Sequence, residues 1–207
     1  MFSRKGDIDL KKINLQPLVK ESVKFLRATI PTTISIKHRI DPDLKIIYGD
    51  ATQIHQVIMN LCTNASHAME KTGGALEIVL TNFRIKLKAI DTGNLDPGDY
   101  LHLAVSDTGK GMSYETKQRI FEPFFTTKEK GKGTGLGLSA VHGIVSKHGG
   151  ASNVDSQEGL GTKFNIYLPA WLNDTEEIEK EIELELPTGT ESILFIDDEP
   201  ELCAIYE

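Results

Sequence analysis

The chain has 207 residues, 39% of them hydrophobic and 26% charged, with a formal net charge of −7. This is the composition of a soluble globular protein of one ordinary domain and a little more, and no apolar run approaches the roughly 20 residues that span a bilayer. The acidity is local: residues 173–190 hold seven acids and one lysine and residues 191–207 hold six acids and no base, which leaves +5 for residues 1–172. A mildly basic body suits a polyphosphate ligand and falls short of a nucleic-acid footprint. The opening residues do not read as a signal peptide. Two cysteines, Cys62 and Cys203, have neither metal-type nor redox-type spacing, as in a reduced cytosolic chain.

Helical spacing of Leu15, Leu18, Val19, Val23, Leu26 and Ile30 predicts a first helix over 14–30, ended by Pro31. Two short strands follow, Ile34–Ile40 and Leu44–Tyr48, joined by a turn at Asp41-Pro42-Asp43. Asp50 reads as an N-cap with Gln53 as its capping-box partner, opening a helix that runs to about Lys71 and stops at Gly73-Gly74. Residues 75–90 and 100–106 read as a strand pair around the polar turn Asp91–Asp99. A short helix over Ser113–Arg119 leads into a loop of about fifteen residues, a length at which structureless connections are usually functional. Gly137–His148 is a glycine-fronted helix stopped by Gly149-Gly150, and Ala151–Ser156 with Lys163–Leu168 closes the domain as a hairpin. Helices and strands mix without βαβ regularity. The expected class is therefore α+β: a two-layer sandwich with a mixed sheet and about three helices on one face.

Two glycine clusters dominate the middle of the chain, Asp107-Thr108-Gly109-Lys110-Gly111 and Gly133-Thr134-Gly135-Leu136-Gly137-Leu138, either side of Phe121-Glu122-Pro123-Phe124-Phe125. Such density is entropically costly and points to close main-chain approach to phosphates. A Walker loop is excluded because Gly133 follows Gly131-Lys132, and the dinucleotide G-x-G-x-x-G pattern fails at Leu136 and Leu138.

On the 51–71 helix, Ile54, Val57, Ile58, Leu61, Ala65, Ala68 and Met69 form an apolar stripe. Asn60, Asn64 and His67 fall along one margin of it at i, i+4 and i+7. That row either hydrogen-bonds the sheet edge or lines a pocket, where an asparagine carbonyl suits Mg²⁺. Asp107 ends the buried face of Leu101, Leu103 and Val105. A carboxylate there needs a donor, supplied either by a loop or helix cap or by a ligand such as an adenine amine.

Together these residues resemble the catalytic ATP-binding domain of sensor histidine kinases, within the Bergerat-fold superfamily of DNA gyrase, mismatch-repair ATPases and a heat-shock chaperone. The resemblance covers nearly all of residues 10–170. Asn60-Leu61-Cys62-Thr63-Asn64-Ala65 is similar to the N box, Asp107 to Met112 to the first glycine box, and Phe121 to Phe125 to the F box. Gly133 to Leu138 is similar to the second glycine box and Gly159-Leu160-Gly161-Thr162 to a third. The resemblance implies ATP and Mg²⁺ as cofactors, with Asp107 on the adenine amine and Asn64 as the metal ligand bridging the phosphates. Gly109 and Gly111, with Met112 beside them, would let the backbone pass close to the nucleotide. Thr126, Thr127 and Lys128 would line the site from the loop, joined by Thr162. Gly133, Thr134, Gly135, Leu136, Gly137 and Leu138 would form a mobile lid and offer N–H groups at a helix N-terminus. His67 stands where many members carry lysine or arginine, and Lys128, Lys130 and Lys132 either supply lid charge or are solvated.

Asn60 discriminates within the superfamily. Hydrolysing relatives carry a glutamate one turn before the metal-binding asparagine, and asparagine cannot act as that base. Transfer to a protein acceptor therefore fits better than hydrolysis, with Asn60 and Asn64 as the catalytic pair. The alternatives are a Bergerat ATPase that couples hydrolysis to conformational change, or a non-catalytic nucleotide-binding module. No histidine here resembles the family's acceptor, so the acceptor is expected on a dimerisation domain of the same protein, the parent being a homodimer. Residues 1–13 read as the remnant of that helical hairpin, 14–172 as the catalytic domain and 173–190 as an acidic linker. Residues 191–207, through Phe195-Ile196-Asp197-Asp198-Glu199-Pro200, resemble the first strand and acidic pair of a receiver domain. That implies a hybrid kinase, partnered by a receiver of its own or of a cognate regulator. The chain is expected to be cytoplasmic, without nucleic-acid or direct membrane contact, in a parent that can be membrane-tethered.

Overall fold

In the computed structural model, residues 10–87, 95–128 and 133–171 are described. The elements run β1 (Lys11–Ile13), α1 (Leu15–Thr29), β2 (Ile34–Ile40), β3 (Ile47–Gly49), α2 (Ala51–Ala68), β4 (Gly74–Ile85), β5 (Gly98–Asp107), α3 (Tyr114–Arg119), α4 (Gly137–Lys147), β6 (Ala151–Gln157) and β7 (Gly161–Pro169). The main sheet has the order β2-β4-β5-β7-β6, with β2 parallel to β4 and every other neighbour antiparallel. The class is α+β with a mixed sheet, as the sequence pattern predicts. Residues 1–9, much of the turn after β4, Lys130, Lys132, the acidic linker and the receiver-like segment lie outside the described residues.

α1 starts where the Asn14 side chain accepts from Gln16 N–H at 2.9 Å, a cap worth about 1 kcal/mol. Leu15, Val19, Val23 and Leu26 are all buried on one face of α1. Ser22 is buried beside them, and its hydroxyl donates to Leu18 O at 2.8 Å, so no polar group is stranded. The buried face of α2 is Ile54, Val57, Ile58, Leu61, Cys62 and Ala65, with Met69 just beyond the helix. The core joins α1, α2 and α4 to Leu76, Ile78 and Leu80 of β4, Leu101, Leu103 and Val105 of β5, and Phe164, Ile166 and Leu168 of β7. Each such apolar side chain contributes on the order of 1.5–3 kcal/mol. α2 packs against both α1 and α4, which fixes its polar margin relative to the start of α4.

Two local expectations are corrected. The strand expected over Leu44–Tyr48 is shorter and begins at Ile47, and it pairs with β1 as a separate two-stranded sheet. Asn82 is the reason: its Oδ1 accepts from Lys45 N–H and its Nδ2 donates to Asp43 O, so residues 43–45 are tied to β4 as a loop. The capping box at Asp50 is half formed. The Asp50 carboxylate accepts from Thr52 and Gln53 N–H, but the Asp50 N–H donates to His148 Nε2 at 3.0 Å and not to the Gln53 side chain. The His148 Nδ1–H donates back to Ile144 O at 2.8 Å, which fixes a neutral tautomer and ties the end of α4 to the start of α2.

Candidate functional site

The polar margin of α2 faces the start of α4. Asn60 Nδ2 donates to Gly137 O at 3.2 Å. A side-chain carbon at Gly137 would lie 3.8 Å from Asn60 Cγ and 3.9 Å from Asn64 Nδ2, so the helix begins directly against both asparagines. Its N-cap, Leu136, gives no side-chain hydrogen bond. The first N–H groups of α4, which like those of any helix have no intrahelical acceptor, are therefore not satisfied by a cap side chain and carry the positive end of the helix dipole. Among the described residues no group of three or more His, Cys, Asp and Glu could hold a metal.

Asn64 and His67 are joined by a residue from the long loop. Lys128 Nζ donates to Asn64 Oδ1 at 3.3 Å and to His67 Nδ1 at 2.7 Å. With Nδ1 accepting, His67 is neutral in this arrangement. Desolvation and then the Lys128 charge hold its pKa below the ordinary histidine value. Desolvation, then the like charge of Lys110, also holds Lys128 below the usual lysine value.

Asp107 ends β5 on its buried face, at 8% exposure. Burial pushes its carboxyl above the usual aspartate value, and backbone hydrogen bonds from Gly109 and Thr162 oppose that shift. The Gly109 bond is 2.8 Å, to Oδ1. The glycine at 109 has an intrachain reason: an added carbon would sit 2.8 Å from both Ala68 Cβ and Ala68 O, at the end of α2. Gly111 has φ +65°, and a side chain there would run into the Gln157 carbonyl. The first glycine cluster is thus compact because α2 and the β6–β7 turn press on it. Thr162 reaches Asp107 through its backbone, while its hydroxyl is hydrogen-bonded to Ser156 Oγ at 2.9 Å. Met112 packs against the hydrophobic core.

The loop between α3 and α4 is pinned at its base. Ile120 is buried, and Phe121 and Phe125 pack against the core. The Phe121 ring lies 5.1 Å from that of His142 on α4, and the Arg119 guanidinium sits 4.4 Å over Phe125. Phe124 is 75% exposed with φ 66°, and its N–H donates to Gly135 O at 3.0 Å, closing the neck of the loop. A non-glycine residue in that region costs on the order of 1 kcal/mol or more. Thr126 Oγ1 accepts from Lys128 N–H, and Thr134 Oγ1 from Leu136 N–H. Gly133 lies against the Lys128 stem, Leu138 packs on the core, and Thr127 and Leu136 are exposed.

The fold thus puts two features on α2: the start of α4 lies against Asn60 and Asn64, and the loop after the buried Asp107 lies against Ala68 at the helix end. Residues 49–172, more than half of the chain, match the family described as histidine kinase-, DNA gyrase B-, and HSP90-like ATPase. The chain belongs to this family. Sensor kinase CckA of Brucella abortus (strain 2308) is 35% identical over 207 residues, covering 96% of this chain and 22% of CckA. The chain therefore spans about a fifth of that relative's length. The nucleotide-free catalytic domain of histidine kinase ThkA superposes with a TM-score of 0.61 at 29% identity, over 78% of this chain and 96% of that one. Full-length ShkA in complex with AMPPNP gives a TM-score of 0.62 at 25% identity, over 79% of this chain and 32% of ShkA. ThkA has also been solved in complex with response regulator protein TrrA, and there the TM-score is 0.60 at 25% identity, over 79% of this chain and 42% of ThkA.

In this ATPase-family domain the structure brings together Asn60, Asn64 and Gly137, then Asn64, His67 and Lys128, then Asp107, Gly109 and Thr162. The sequence pattern did not single out the Lys128–Asn64 contact or the His148–Asp50 bond. Both join residues far apart in the chain, and no local periodicity signals either.

Proposed function

We propose that this domain is the ATP-binding catalytic part of a sensor histidine kinase and transfers the γ-phosphate of Mg·ATP to a histidine on a dimerisation domain. The observation that carries this reading is the uncapped start of α4 standing against Asn60 and Asn64, with the Asn64 oxygen already holding a cation. An oxygen that accepts an ammonium fits a hard divalent ion whose remaining ligands are phosphates and water. Bound there, Mg²⁺ would neutralise phosphate charge. The free N–H groups of α4 would hold the phosphates, and Lys128 adds positive charge. Asp107 would accept from the adenine amine, its buried carboxylate held in place by Gly109 and Thr162. Asn60 has no basic atom and donates to Gly137 O, so it positions α4 and activates no water, which favours transfer over hydrolysis.

Among the described residues no helix is long and apolar enough to cross a membrane. In our reading the domain works in the cytoplasm within a homodimeric parent, and its product phosphohistidine passes to a receiver domain. The receiver-like segment 191–207 and the solved ThkA–TrrA pair support that last step. The deciding experiment mixes the chain with Mg²⁺, γ-labelled ATP and the separately produced helical hairpin of its parent. Acid-labile label on the hairpin, lost in Asn64→Ala, is expected. Steady release of inorganic phosphate with an unlabelled hairpin would favour an ATPase and overturn the reading.

A further inference from the structure

α4 is tied to α2 at both of its ends. At the head, Asn60 Nδ2 donates to Gly137 O at 3.2 Å. At the tail, His148 Nε2 accepts from the Asp50 N–H at 3.0 Å while its Nδ1–H donates to Ile144 O at 2.8 Å. The two ties set the helices antiparallel and span matching lengths. Asn60 lies ten residues after Asp50, and Gly137 lies eleven before His148, so each span is on the order of 15 Å. The tail is fixed to the rest of the domain as well. The imidazole lies against Gly49, where an added carbon would sit 2.8 Å from its Cδ2, and a side chain at Gly150 would run into the Tyr167 carbonyl of β7.

We propose that His148 is a positioning residue for nucleotide binding: its ring sets where α4 stands along α2, and so where the N–H groups at the head of α4 meet the phosphates. The proposal rests on the reading of that helix start as the phosphate site and adds a residue that governs it from the far end. Val141, Ile144 and Val145 bury one face of α4. Apolar burial is non-directional, so it presses the helix onto the core and leaves its axial position to directional contacts. A slide by one residue step, roughly 1.5 Å, would carry the head N–H groups out of hydrogen-bond range of a phosphate held by the rest of the site. Asn60 offers a single neutral bond against such a slide. The imidazole adds the second, and it takes the Asp50 N–H that the Gln53 side chain leaves unused. The role requires an acceptor that reaches Asp50. The Nδ1–H matters less, because Ile144 O also accepts from the His148 main-chain N–H at 3.1 Å.

The test compares two carboxamides at position 148. In His148→Gln the side-chain oxygen can stand where Nε2 does, and in His148→Asn it is one bond too short. With folding confirmed by Tm, affinity for Mg·ATP is read by displacement of a fluorescent analogue, and affinity for adenosine, which has no phosphate, by ligand-observed NMR. His148→Asn should bind Mg·ATP about fivefold more weakly, with adenosine within about twofold of wild type. His148→Gln should restore Mg·ATP binding to within about twofold. Gly49→Ala, which pushes on the ring instead of shortening the side chain, should repeat the His148→Asn pattern and keeps the test open if that variant does not fold. Unchanged Mg·ATP binding in the folded variants, an equal loss for adenosine, or no recovery in His148→Gln overturns the proposal. Gly137→Ala separates it from the reading on which it rests. Weakened Mg·ATP binding there, with unchanged binding in His148→Asn, sinks the positioning role alone, whereas unchanged binding in Gly137→Ala sinks the phosphate reading and the proposal with it.

Discussion

Asp107→Asn changes one oxygen to an NH2 group in a side chain that is 8% exposed. In the native carboxylate Gly109 N–H donates at 2.8 Å, and Thr162 N–H donates as well. A carboxylate has lone pairs enough to accept those bonds and a ligand amine together. A carboxamide has one accepting oxygen and an NH2 that only donates. Whichever way it turns, a donor faces a donor: either a backbone N–H or the amine of the proposed adenine ligand. Losing a hydrogen bond to a charged group costs about 1.5–3 kcal/mol, which is about a tenfold to hundredfold loss of affinity. Titration with a fluorescent ATP analogue reads it directly.

The same substitution has a second, independent signature in the free domain. Burial raises the Asp107 pKa above its ordinary value of 3.8. The folded state then binds the proton more tightly than the unfolded state. Its contribution to stability is fully present below 3.8 and is lost as pH rises to the folded pKa. Above that the deficit is constant. The carboxamide of the Asp107→Asn variant does not titrate, so urea denaturation between about pH 3.5 and 7 should show wild type losing ground to the variant as pH rises, then running parallel. Affinity within about twofold of wild type would refute the adenine assignment. Wild type gaining on the variant with rising pH would refute the desolvation argument.

Gly49→Ala places a carbon 2.8 Å from His148 Cδ2 and 3.2 Å from Nε2, an overpacking expected to cost about 1–3 kcal/mol in urea denaturation. The cost should largely vanish in a His148→Ala background, and strict additivity of the two changes would contradict the contact. Cys62 is fully buried and its thiol is pushed up to about 12. In a Cys203→Ser background its labelling by a disulfide reagent at about pH 8 should therefore be no faster than global opening, and rapid native-state labelling would show the core to be looser than described.

Elements with local signals were legible in the sequence: Asn60, Asn64 and His67 do fall on one margin of α2, and Asp107 does end a buried strand face. Contacts between distant residues were not. Asp50 N–H and His148 Nε2 are 98 positions apart, and Lys128 reaches back 64 positions to Asn64. The glycines were legible in density but not in purpose. Close backbone approach is what they share, yet Gly109 is crowded by Ala68 and Gly111 by Gln157, which are packing reasons inside the domain. Gly137 is different. Its φ is not positive, and nothing lies closer than 3.8 Å to the space a side chain would take. Packing does not require a glycine there, and a helix start generally gains from alanine. The phosphates proposed above for the N–H groups at the head of α4 would supply a reason for it. Gly137→Ala should therefore leave Tm unchanged or slightly raised while weakening nucleotide binding several-fold, by about 1 kcal/mol. Gly109→Ala should lower Tm whether or not nucleotide is present. If Gly137→Ala binds the ATP analogue as wild type does, the start of α4 is not where the phosphates sit.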